Sequence, residues 1–342
     1  MNKAGRILSI NPPYAIPGGE VFIECENFQV DANVAYGCFF DGQPARLVGA
    51  SSNRIIAIVP EALGTTEVEI YLESGGDRSE SVNLTVGRKL ADDLHMVANP
   101  AIDPRDDSII LTRSGSRGQQ LPVTLFRLEA DDYLQEMSTA VLNPTGIAFD
   151  RDGQLFVTNR ADGEVCRVQS DEELTVLASG WGVATGLAFD RQGVMYVGDR
   201  SGTIYKISGL GDAQPFATLE PSVSAYHLAF DRADNLYVAA PSLSSYDSVL
   251  KVDRDGYEDE FYRGLGRPQG LAFDREENLY VAGCLRSRRG IVRISADGEN
   301  AEIFVAGMNV IGLCFTRKGE MIVATNEAVF NLPVGIYGTL LD

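Results

Sequence analysis

Two kinds of side chain in this 342-residue chain have the chemistry to act on or hold a small molecule. The first is a histidine beside a phenol, Tyr226-His227, with His95 the one other histidine. An imidazole titrates near neutral pH and serves as general acid or base, provided a partner orients it and a reacting atom comes within hydrogen-bond reach. A histidine hydrogen-bonded inside the fold is the structural alternative. The second is a set of arginines in short polar runs: Arg113 and Arg117, Asn159-Arg160, Asp199-Arg200, then Arg286, Arg288 and Arg289, with Asn326-Glu327 further on. Guanidinium forks match carboxylates, phosphates and acidic sugars, so these runs would line a pocket for a small anion. Exposed arginines beside local acids are the alternative. Trp181 and Tyr246 would either wall such a pocket or pack. No Gly-x-Ser-x-Gly, phosphate-loop or paired-carboxylate motif is present.

The five cysteines, Cys25, Cys38, Cys166, Cys284 and Cys314, stand singly in strand-like segments, so buried thiols are expected rather than disulfides or a zinc site. Net charge is −19, with the acidic excess in both halves of the chain. That charge repels nucleic acid and anionic membrane, and neither is expected as a partner. No apolar run spans a bilayer. The start MNKAGRILSINPPY has neither an apolar core segment nor a small-residue cleavage site, so a cytoplasmic location is expected.

The elements that must position these residues are legible from a repeat. NPTGIAFDRDGQLFVTNRADGEVCRV, VATGLAFDRQGVMYVGDRSGTIYKI, SAYHLAFDRADNLYVAA, RPQGLAFDREENLYVAG and NVIGLCFTRKGEMIVAT align over their first two strands, with phenylalanines at 149, 189, 230, 273 and 315. A divergent copy, VANPAIDPRDDSIILTRSG, precedes them, giving six units of four strands. A period near 40 residues is the signature of propeller blades, in which neighbours cover faces that one unit cannot bury alone. Asp150, Asp190, Asp231 and Asp274 open each F-D-R turn and are read as acceptors for backbone N–H groups, with Thr316 in the last copy. Gly153, Gly193 and Gly319 fall where φ is expected to be positive, with Asp234 and Glu277 in the other copies. Either IYGTLL or the segment near Lys89–Leu94 supplies the strand that closes the ring.

Residues 6–86 instead alternate short β-rich runs with turns, as a sandwich with one dry and one wet face requires. Their order I-x-x-I-x-P, G-G-x-V-x-I-x-x-x-x-F, F-D-G-Q-P-A and I-x-A-x-V-P resembles the IPT/TIG family, which implies an immunoglobulin-like spacer or contact module. The repeat region resembles NHL repeats and the senescence-marker/gluconolactonase propellers. The expected fold is therefore all-β: residues 1–87 an IPT/TIG immunoglobulin-like β-sandwich, residues 88–342 a six-bladed β-propeller.

The propeller resemblance implies that ligands meet the axis where inner strands begin. By internal alignment those positions are Ala98, Thr145, Thr185, Tyr226, Gln269 and Ile311, with His227 and Asn99 in the adjoining place that is glycine in other copies. The lactonase branch implies one divalent cation such as calcium, held by a Glu, an Asn and an Asp. The six positions carry no carboxylate, so no metal or other cofactor is expected. The expected role is a non-enzymatic binding or scaffolding protein, whose propeller face takes a small anionic molecule or a protein partner. The expected ligand-binding residues are Thr145, Arg160, Thr185, Arg200, Tyr226, His227, Gln269 and Arg286. Any homo-oligomeric contact is expected through the N-terminal domain. The alternative is a metal-dependent lactonase or other hydrolase, or a lyase, with His227 and Tyr226 catalytic.

Overall fold

The computed structural model describes residues 5–31, 33, 35–115, 119–138, 141–170, 173–208 and 211–340. Among them every regular element is a strand, and no helix is long and apolar enough to cross a membrane.

The N-terminal region packs two sheets face to face. One contains Arg6–Asn11, Glu20–Glu26, Arg54–Ile58 and Arg46–Ala50, all antiparallel. The other contains Tyr36–Phe40, Glu67–Ser74 and Val82–Val86, with the two-residue strand Tyr14–Ala15 beside it. Two-residue alternation decides which side chains go inside: Val21, Ile23 and Cys25 are buried, whereas Glu24 and Glu26 between and after them are exposed. They meet Cys38, Phe40, Ile55, Ile70, Leu72 and Leu84 in one apolar core.

The rest of the chain forms four-stranded antiparallel sheets in a propeller-like arrangement. One of them runs Pro144–Phe149, Leu155–Asn159, Glu164–Ser170, Glu173–Ala178, and the next repeats that order from Ala184–Phe189 to Asp212–Thr218. Apolar clusters fill the space between successive sheets. The last links Ile322, Ala324 and Val329 to Ile102, Leu111 and Phe126 of the first. The repeated phenylalanine has a specific partner. Phe189, Phe230, Phe273 and Phe315 pack edge-on against Phe156, Tyr196, Tyr237 and Tyr280 of the preceding sheet, with ring centroids 4.8–5.4 Å apart.

The F-D-R turns are built as the sequence implies. Asp150 Oδ1 accepts from the N–H groups of Asp152 and Gln154, and Asp190 and Asp231 do the same one and two repeats on. Thr316 accepts from Lys318 and Glu320 through its hydroxyl. The turn position expected to need positive φ has it in glycine and non-glycine copies alike: Gly153 at 74°, Asp234 at 57° and Glu277 at 65°.

Closure of the ring falls to the segment before the first repeat. Arg88–Ala91 pairs antiparallel with Val329–Pro333 as the outer strand of the last sheet. The described part of the C-terminal IYGTLL segment, residues 336–340, returns to an earlier repeat, where Gly338 bridges Asp274 and Thr339 N–H donates to Phe273.

The N-terminal sandwich is tied to this ring by backbone. Tyr14–Ala15 pairs parallel with Val82–Val86 on one side and with Ala301–Ala306 on the other. Ile16 follows, fully buried among Tyr280, Phe304, Val305 and Phe330. The Arg288 guanidinium adds bonds of 2.7 and 2.8 Å to Asn11 and lies 4.2 Å over the Phe22 ring.

Candidate functional site

The hairpins joining second to third strands present the arginines. Arg160 follows Leu155–Asn159 and Arg200 follows Met195–Asp199, in neighbouring sheets. The polar residues that precede them, Asn159 and Asp199, are occupied elsewhere. Asp199 accepts from the N–H groups of Gly182, Val183 and Ser201. Asn159 caps its own turn through Ala161 and Asp162, and its amide donates to Asp162 and Glu164. Arg200 donates to the carbonyls of Val223 and Ser222 at 2.9 and 3.4 Å. Arg160 is partly buried, and among the described residues no carboxylate pairs with its guanidinium. Burial, together with the positive charge of Arg200, holds Arg160 below the usual guanidinium range. The Arg200 charge thus acts on Arg160, and among the described residues no carboxylate forms an ion pair with either arginine.

The other arginine run separates in space. Arg288 is committed to Asn11 and Phe22, Arg289 reaches the Met308 sulfur at 3.9 Å, and Arg286 is exposed at a hairpin tip with φ of 50°. Arg113 pairs with Asp93 at 3.0 Å, and Arg117 lies outside the described residues.

The positions expected to line the axis need correction. Thr145, Thr185 and Tyr226 have no accessible surface. Thr185 donates to the carbonyl of Gly198 and accepts from the N–H of Tyr226, while the Tyr226 hydroxyl donates to the carbonyl of Glu220. Thr145 donates to Asn143 at 3.4 Å. These hydroxyls fasten strands and sheets to one another, and none is offered to a ligand. Thr158, which the repeat did not single out, does the same between Gly146 and Thr185. The inner-strand glycines explain the burial: a Cβ at Gly146 would stand 2.4 Å from the Thr185 carbonyl oxygen, and one at Gly186 2.5 Å from that of Tyr226. At Gly146 and Gly186 adjacent inner strands are in backbone contact, which leaves no room for a side chain at those two places. Asn99 stands in that glycine position and stitches across it, donating to Leu271 and accepting from Leu313. Gln269 is half-buried.

His227, in the same glycine position, is 4% exposed, and its Nε2 has no hydrogen-bond partner among the described residues. Burial pushes its pKa down to about 4, so the ring is neutral at physiological pH. A lactonase-type cation does not fit these residues: the axial positions offer packed or committed groups, and among the described residues no three His, Cys, Asp or Glu side chains converge as ligands.

A cleft of about 1020 Å³ lies elsewhere, between the N-terminal sandwich and the loops of the first and last repeats. Pro17, Ile58 and Glu61 form one wall, and Arg113, Met308 and Glu327 lie opposite. Lys89 and Arg113 are paired with Asp92 and Asp93, which leaves Glu61 and Glu327 as its remaining charges. Of the polar runs singled out in the sequence, Arg113 and Asn326-Glu327 border it, as does His95, whereas Arg160, Arg200, Tyr226, His227, Gln269 and Arg286 do not. Its walls come from segments more than 300 residues apart, Pro17 and Phe330 among them, so its shape is not announced by any local pattern.

No family model matches the sequence, and no curated protein matches it. Solved structures are similar in fold. An auxiliary nutrient binding protein from Bacteroides thetaiotaomicron superposes with a TM-score of 0.56 at 13% identity, covering 96% of this chain and 98% of that one. A gluconolactonase from Xanthomonas campestris superposes with a TM-score of 0.60 at 17% identity, over 72% of this chain and 89% of that one. A streptogramin B lyase gives 0.51 at 12% identity, over 87% and 97%. The fold is that of propeller-type proteins, and at such identities the likeness extends to fold alone.

Proposed function

We propose that the chain is a non-enzymatic binding protein, built as an IPT/TIG-type immunoglobulin-like sandwich on a six-bladed propeller, whose hairpin face captures a small anionic molecule at Arg160 and Arg200. The carrying observation is that Arg160, partly buried at the hairpin that follows one second strand, feels the charge of Arg200 at the same hairpin of the next sheet, and that among the described residues no carboxylate neutralises either. Holding like charges together costs free energy that a bound anion recovers, and charge-assisted bonds to a guanidinium are among the strong ones. Arg286 and Gln269 remain on the accessible side of the expected set, and His227 enters as a packing residue. The end-to-end likeness to a nutrient-binding protein supports the two-part architecture. In this reading the sandwich acts as spacer or oligomer contact, with Leu8 and Val48 exposed on one of its sheets. We place the protein in the cytoplasm, a setting in which five unpaired thiols are stable.

The test is calorimetric titration with phosphate and citrate. The wild type is expected to bind at least one of them. Arg160→Ala combined with Arg200→Ala should weaken that binding tenfold or more while the melting temperature stays within about 2 °C. Unchanged binding in the double variant overturns the assignment. A lactone screen with added calcium, magnesium, manganese or zinc covers the hydrolase reading, and turnover lost in His227→Ala would replace the present one.

A further inference from the structure

The hairpin beside the guanidinium pair is built to display apolar side chains. Arg200 is anchored on the Val223 carbonyl, and Val223 N–H donates to Pro241 at 3.2 Å, where the Ser222 hydroxyl also donates. The chain then runs Ser242-Leu243-Ser244-Ser245-Tyr246. Its serines hold it in shape: Ser242 Oγ accepts from Ser244 N–H and Ser244 Oγ from Tyr246 N–H, both at 2.9 Å. The Ser242 hydroxyl in turn donates to the buried Asp247 carboxylate. Serine turns of this kind substitute side-chain bonds for sheet pairing and fix a loop that has no core of its own. What this loop presents is Leu243, 94% exposed, and Tyr246, 60% exposed, with Val223 at 47%.

A single exposed leucine on a protein surface signifies nothing. Three large apolar side chains, on segments hydrogen-bonded to one another and to Arg200, form an apolar strip beside that guanidinium, with the Arg263 guanidinium 5.6 Å over the Tyr246 ring, and among the described residues no carboxylate pairs with Arg160 or Arg200. Charge complementarity sets the head of the occupant and exposed area sets its body. We propose that this strip binds amphiphilic anions, in which an anionic oxygen head, carboxylate or phosphate, sits on Arg160 and Arg200 and an aromatic or acyl body lies over Val223, Leu243 and Tyr246. The inference rests on the anion-binding reading above and adds the ligand class.

Calorimetric titration of the full chain compares acetate with phenylacetate and octanoate, and inorganic phosphate with phenyl phosphate. The apolar body is expected to improve affinity about tenfold over the matching small anion. That gain corresponds to about 1.4 kcal/mol, or burial of roughly 55 Å² of apolar surface. Leu243→Ser, at a position too exposed to disturb folding, should reduce the gain at least fivefold and leave phosphate binding unchanged. If phosphate or acetate binds but the amphiphiles bind no tighter, or if Leu243→Ser changes nothing, the amphiphile proposal falls and the anion site stands. If none of these anions binds, both fall.

Discussion

His227 sits in an environment that its side-chain type does not prefer, 4% exposed and without a hydrogen-bond partner for Nε2 among the described residues. Its neighbours in the repeat are Gly146, Gly186, Gly270 and Gly312, which leave no side chain between inner strands. An imidazole in that place is shut from water and stays neutral. Its folded pKa of about 4 lies below the unfolded value near 6.5, so the unfolded chain binds the extra proton first. The contribution to stability is complete above pH 6.5 and is lost as pH falls toward 4. Urea unfolding at pH 7 and pH 5 should show His227→Gln losing about 2 kcal/mol less than wild type over that interval. Equal losses would mean that the histidine does not titrate as placed. The residue was singled out from its rarity and its alignment with glycine. Its isolation from any proton partner follows from packing, which alignment does not convey.

Each turn after an inner strand is organised by one side chain. Asp190 is nearly buried, and its carboxylate satisfies two backbone N–H groups of its own hairpin. Removing an ionised acceptor leaves both donors unpaired, at a typical cost of about 1.5–3 kcal/mol. Asp190→Ala should therefore lower unfolding free energy by about that amount, and Asp190→Asn, which retains an acceptor oxygen, by less than half as much. Equal costs for the two would remove the turn from the account. The turns were legible because both the acceptor and the donors lie within five residues. The strand faces were less so. Thr145, Thr185 and Tyr226 occupy aligned places, but whether such a place meets an axial opening or a neighbouring strand depends on how closely two sheets approach.

At the scale of the whole molecule, the sandwich and the ring share a strand and a core. Tyr14–Ala15 bridges their sheets, and Ile16 is buried in the cluster that also holds Phe304 and Phe330. The two parts are expected to unfold in one transition. Trp181, whose ring stacks on Tyr205 at 5.5 Å, reports the ring, and hydrogen exchange of Val68–Leu72 reports the sandwich. Their denaturation midpoints should coincide in wild type. They should separate in Ile16→Ala combined with Arg288→Ala, where cavity formation alone costs about 2–5 kcal/mol. Separate midpoints in the wild type would show that the junction does not couple them.

The repeat period, the strand alternation and the turn chemistry were determined by the sequence itself, because each rests on residues a few positions apart. The same patterns picked out Arg160 and Arg200 as residues suited to an anion. That the Arg200 charge reaches Arg160, that Arg288 is spent on Asn11, and that Arg88–Ala91 rather than the C-terminal segment closes the ring were decided in three dimensions. The physical reason is common to all three. Each depends on how closely segments distant in the chain approach, and that distance is set by the packing of the ring as a whole.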